Sequence, residues 1–186
     1  MTSNNLPTWD FTIYDTAHPR KPPDTSTAAK MAAVTFEQQV RNEPVEHGAF
    51  FRADGSLILR KKGDVNSIDF SDAELTLGTG SLFAHNHPAG NSFSVVDVLI
   101  ASKYRLIEIR AVAANWRHFM APRGFWPSRP AIIAAVRSET HSAQQEVDSM
   151  IHIGNLDQRY ANWELQHQIW VKVAKKLNFR YVREPS

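Results

Sequence analysis

His85, Asn86 and His87 follow directly on the apolar run Ser81-Leu82-Phe83-Ala84, and Asp97 lies a short loop further on. Side chains alternate along an extended strand, so a His-x-His pair leaving it sends both imidazoles to one side. Two imidazoles can then meet a single divalent ion at about 2.0–2.1 Å. Pro88 and Gly90 turn the chain, and Ser94-Val95-Val96-Asp97 reads as the first turn of a helix. A carboxylate there completes a His85, His87 and Asp97 ligand set for one ion, with zinc the expected metal, and leaves a fourth tetrahedral corner for water. Catalytic zinc sites have that open arrangement, whereas structural sites are closed. Ser94-x-x-Asp97 also reads as a capping box, although Glu or Gln is the usual reaching residue, and capping does not exclude ligation.

Hydrolysis needs a base beside such an ion. Zinc brings the pKa of its water to about 7, and a nearby carboxylate then takes the proton. Glu46, next to His47-Gly48 and just ahead of an apolar run, is the candidate, with a surface residue at a strand edge as the other reading of the same position. Glu43 is the reserve. His18, His47, His118, His141, His152 and His167 are assigned to no metal and are expected as surface or packing residues. Trp116, Trp126, Trp163 and Trp170 read as core or docking residues, Trp126 beside Pro127 alternatively as an exposed partner anchor.

The elements that must position these groups follow from pattern. Pro19, Pro22 and Pro23 make residues 1–24 an extended arm. Thr25 or Ser26 caps a helix over 27–41, which Pro44 keeps from continuing. Residues 49–52 and 56–59 flank Asp54-Gly55, a dipeptide favoured where both turn positions need positive φ, and 65–70 alternate weakly as a third strand. After the strand over 81–84, Val96, Leu99, Ile100 and Tyr104 share one helix face. Residues 106–113 form a buried strand paired with 116–121. Two helices, over 131–151 and 156–177, and an edge strand over 180–182 close the chain. The expected class is α/β (α+β): a curved, largely antiparallel sheet flanked by helices. Its parts are the arm at 1–24, a metal-binding domain at 25–123 and a C-terminal helical extension at 124–186.

Bulk composition agrees with one globular unit: 42% of the 186 residues are apolar and 22% charged, enough to bury a core. No run approaches the ~20 apolar residues that span a bilayer, and the N-terminus lacks the blocks of a signal peptide. The absence of cysteine excludes disulfides and thiolate ligands and fits a cytoplasmic setting. A net charge of +2 is only mildly basic, so Arg60-Lys61-Lys62 and the Lys172 to Arg183 cluster read as solvated faces before phosphate contacts. Nucleic acid is not indicated.

Together these residues resemble the JAB/MPN (JAMM) metalloprotease family: an upstream Glu, then His-x-His-Pro, a short loop, and Ser-x-x-Asp. The wording His85-Asn86-His87-Pro88-Ala89-Gly90 is similar to the RadC-type branch, and Phe93-Ser94-x-x-Asp97 to JAB-like domains of toxin systems and phages. The likeness covers residues 45–121, and its loop from His87 to Ser94 is one residue shorter than the family's usual one. The resemblance implies zinc on His85, His87 and Asp97, Glu46 as general acid/base and Ser94 beside the oxyanion. It also implies a peptidase or isopeptidase acting on a protein or peptide, often next to a ubiquitin-like tail. The competing expectations are an inactive MPN-like binding module and a toxin- or phage-associated hydrolase of another bond.

Overall fold

Thr27, not Thr25 or Ser26, caps the first helix of the computed structural model, which describes Tyr14 and residues 22–186. Its hydroxyl accepts from the Lys30 amide, one turn into α1 (Ala28–Val40). The arm expected over 1–24, His18 included, lies outside the described residues except for Tyr14 and 22–24. The sheet has six strands: β1 (His47–Phe51), β2 (Leu57–Lys62), β3 (Leu82–Asn86), β4 (Glu108–Val112), β5 (Trp116–Pro122) and β6 (Phe179–Pro185). Helices α2 (Asp72–Leu77), α3 (Val95–Lys103), α4 (Arg129–His152) and α5 (Ala161–Leu177) complete the mixed α+β fold.

The strand order is β2-β1-β3-β4-β5-β6, antiparallel throughout except for β3–β4. A parallel pair needs a crossover connection, and α3 supplies it. Strands β1, β3 and β4 are buried along their whole length, as strands covered on both faces are. Ala49, Phe51, Leu82, Ala84 and Val112 face α1, where Ala33, Phe36 and Val40 meet them. The opposite face carries Phe50, Phe83, Ile109, Ala111 and Met120 under Val98 and Ala101 of α3, Ile132 of α4 and Trp170 of α5. The edges of the sheet are β2 and the last strand, β6. Among the described residues no helix is long and apolar enough to cross a membrane.

Four local expectations are corrected. Of the turn dipeptide only Gly55 has positive φ, at 84°. The Arg52 carbonyl accepts from the Gly55 amide and the Ser56 carbonyl from the Arg52 amide, so the hairpin uses a longer loop with a left-handed glycine. Residues 65–70 form no strand. Their neighbours Gly63 and Asp64 bond the backbone of Glu46, and the chain then crosses towards α2, a helix that the short apolar pattern hid. The strand expected to stop at residue 84 runs on through His85 to Asn86. In α3 the fully buried positions are Val98 and Ala101, while Val96 is 61% exposed. Leu99, Ile100 and Tyr104 of the expected face do pack on the main core, and Ile100 also borders the site described below.

Most of the basic residues have internal partners. Lys61 pairs with Glu74, and Lys172 and Lys176 tie α5 to Glu146 and Glu139 of α4. Trp126 is docked rather than free: its indole donates to the Leu106 carbonyl at 2.6 Å.

Candidate metal centre

Period-two alternation does what the sequence requires of it: His85 and His87 point to one side of the end of β3, with Nε2 atoms 2.9 Å apart. Asp97, on the first turn of α3, brings Oδ1 to 3.7 Å from His85 Nε2 and Oδ2 to 3.7 Å from His87 Nε2. Ligand atoms held at 2.0–2.1 Å by a tetrahedral ion are roughly 3.3 Å apart, and the ligand atoms of this group all lie within 4.8 Å of one another. A His-His-Asp group able to hold a metal ion is therefore present.

His87 and Asp97 are each oriented by a second contact. The His87 Nδ1 lies 3.0 Å from the Asn91 carbonyl, which can only accept, so Nδ1 carries the proton and Nε2 is left as the ligand atom. Asp97 is the third residue of a capping box: Ser94 accepts from the Asp97 amide, while the Ser94 amide and hydroxyl donate to Asp97 Oδ2 at 2.7 and 2.8 Å. Capping and ligation thus coexist, since Oδ1 stays free for an ion. The single Ser94 hydroxyl proton is engaged with Asp97 here, so Ser94 first of all positions a ligand.

Asn86, between the two histidines, points to the opposite side and is fully buried. Its Oδ1 accepts from the His47 amide at 2.6 Å and its Nδ2 donates to the Val45 carbonyl at 3.0 Å. Those bonds clamp the segment on either side of Glu46. The Glu46 carboxylate reaches 4.0 Å from His87 Nε2, across the sheet from a remote part of the chain. Glu43 lies outside the cluster, 3.8 Å from His47. No spacing rule pointed to Asn86; a strongly polar residue inside a buried strand was its only signal.

Electrostatics suit a cation at this spot. Burial opposes charge on His85, but the Asp97 and Glu46 carboxylates outweigh it and its pKa lies above the ordinary imidazole value. Burial first, and the His85 charge second, push His87 down to about 4. Burial would raise Asp97, yet His85, His87 and Ser94 hold it well below the usual carboxylate range. Without metal, an ionised carboxylate thus faces two nitrogens that share one proton, where a divalent ion is the better-matched charge.

Glu46 is pushed up to about 7, mainly by burial, with His85 acting against the rise and Asp97 adding to it. A raised carboxyl pKa means that the folded, metal-free chain keeps a proton the unfolded chain has released. Its contribution is present below the unfolded value of 4.5 and is lost as pH rises through about 7. Chelator-treated Glu46→Gln is accordingly expected to exceed chelator-treated wild type in stability by about 1–2 kcal/mol near pH 8. The figure is reduced from the full shift because the group is partly hydrated. Near pH 4 the two should coincide; urea denaturation at both pH values checks the sign.

The C-terminal elements hold the loop between His87 and Ser94. Trp163 of α5 donates to the Ala89 carbonyl at 3.1 Å, Trp170 to the Phe93 carbonyl at 2.7 Å, and the Tyr181 hydroxyl of β6 meets Ser92 at 2.9 Å. His118 and His167 also meet that hydroxyl, at 3.1 and 3.0 Å, and burial keeps both pKa values low. They are packing histidines, as expected. Comparison of the chain with protein-family models, with curated proteins and with solved structures finds no match, so the reading of this site rests on its own geometry.

Proposed function

We propose that the protein is a zinc-dependent hydrolase of amide bonds, a peptidase or isopeptidase of the JAB/MPN type its motifs resemble. The observation that carries the reading is the convergence of a buried, independently anchored carboxylate, Glu46, on the cavity that holds the His85, His87 and Asp97 ligand atoms. A structural zinc site has no use for such a base. Bound zinc supplies Lewis-acid chemistry, polarising an amide carbonyl and making water acidic near neutrality. Glu46 takes the proton from the attacking water and hands it to the leaving amine. Burial raises its pKa in the metal-free chain, which makes it a stronger base than an exposed carboxylate. Ser94 would hold Asp97 in place as a ligand, and Ser94 can serve an oxyanion only by turning its hydroxyl away from Asp97.

Metal analysis of purified protein equilibrated with zinc is the direct test. Wild type is expected to retain stoichiometric zinc through dialysis and His85→Ala to lose it, since His85 supplies one of the three ligand atoms of the group. Zinc-loaded wild type should cleave members of a mixed peptide library, read by mass spectrometry, and chelation should stop it. Wild type that holds no zinc sinks the proposal.

A further inference from the structure

We infer that the cavity next to the ligands is a subsite for one aliphatic side chain, of leucine or isoleucine size, on the residue that donates the carbonyl of the scissile bond; the inference rests on the hydrolase reading above. The cavity has a volume of about 300 Å³. That is the space of about ten waters at roughly 30 Å³ each, at the low end for ligand pockets, and suits a side chain with its peptide unit rather than a large group.

Its walls are the ligand-bearing elements continued by one structural period. Phe83 stands two residues before His85 on the same face of β3, their rings stacked at 5.0 Å. Ile100 stands three residues after Asp97 on α3, and Val96 forms the exposed rim. Ile68 and Phe70 close the far side from the loop expected to be a strand. Gly48, two residues after Glu46 on β1, makes this possible: a Cβ there would lie 2.8 Å from both Ile68 and Phe83. The apolar residues that departed from the expected strand and helix faces are thus the ones that line this cavity. A carboxylate side chain against Phe83, Ile68 and Ile100 would be desolvated beside the like-charged Glu46 and Asp97, and glycine would leave the apolar walls wet.

A second recess fixes the direction of the substrate. It is smaller, about 140 Å³, and polar: Glu46, Asn66, His87 and Ser94 border both spaces, while Asn91, Ser92 and Gln166 border this one alone. The leaving amine must lie beside the proton donor Glu46, and the polar side chains Asn91 and Gln166 of this recess suit the peptide N–H groups on that side. The carbonyl-side residue is then left to the apolar cavity.

Amino-acid hydroxamates test this, because the hydroxamate chelates the metal and presents the side chain on the carbonyl side. With the zinc-loaded full chain in a calorimeter, leucine hydroxamate is expected to bind on the order of 10–100-fold tighter than glycine hydroxamate. Aspartate hydroxamate should bind no better than glycine hydroxamate, and Ile100→Ser should bring the leucine-to-glycine ratio towards one. Binding of all three with equal affinity, or tightest binding of the glycine or aspartate compound, overturns the subsite while leaving the metal reading intact. Failure to bind zinc, or failure of the zinc-loaded chain to bind any hydroxamate, removes the hydrolase reading and the subsite with it.

Discussion

Glu46→Gln is expected to lower kcat/KM for peptide hydrolysis by about 10²–10⁴-fold, the usual contribution of a positioned proton carrier, while stoichiometric zinc stays bound. The two effects separate because Glu46 lies 4.0 Å from His87 Nε2 and outside the His-His-Asp group, so the ligands keep their orienting contacts with Asn91 and Ser94 when it is neutralised. Gln keeps the shape and loses only the ability to accept a proton. The carboxylate must be ionised to act as base, so wild-type activity should rise with pH through its pKa. That pKa is about 7 in the metal-free protein, and the field of a bound cation moves it lower. The acid limb of the pH–rate profile should then disappear in the residual activity of the variant. A Glu46→Gln protein that keeps zinc and full turnover would show that another group moves the proton.

What could be read in advance follows one rule: periodic features were legible and long-range ones were not. His85 and His87 sit two apart on a strand, and Ser94 and Asp97 three apart at a helix start, so local geometry alone brought the ligand set into view. The fold class came from the same periodicities. Residues 65–70 misled because Ile68 and Phe70 pack on the main core from a loop, with no strand pairing. Val96 misled because it is an exposed apolar residue at the rim of the candidate site. Helix α2 is only six residues long, too short for a period, though Ser71 and Glu74 form a capping box that could have announced it. The reach of Glu46 depends on Asn86 and on the backbone of 63–64, contacts no local pattern encodes. Equally hidden was the role of α5, whose tryptophans look like core residues yet also grip the metal loop.

The largest stability effect should come from a residue with no part in the chemistry, Glu37. It is fully buried on the sheet-facing side of α1, four residues after Ala33 and three before Val40. Its carboxylate bridges two buried guanidinium groups, bonding Arg110 Nε through one oxygen and Arg117 Nε at 2.6 Å through the other. Glu108 and Glu184 pair with the outer nitrogens of the same arginines, at 2.8 and 3.4 Å. Charge counting alone would make Glu37 dispensable, since two arginines and two glutamates remain. Geometry decides otherwise, because without it two buried guanidinium groups on neighbouring strands face each other across an unfilled gap. Breaking a buried ionic network at one member typically costs about 3–5 kcal/mol, against the ~5–15 kcal/mol that holds a domain folded. Glu37→Ala should therefore shift the urea midpoint strongly at unchanged m-value, or leave little soluble protein. Glu37→Gln, which keeps an acceptor, should lose less. Asp72→Asn removes an ion pair to Lys103 that lies in water, and it should leave the midpoint where it was. Equal midpoints for Glu37→Ala and Asp72→Asn would mean that α1 is held to the sheet by its apolar contacts with Ala49, Phe51 and Leu82 alone, and that the buried charges are only tolerated there.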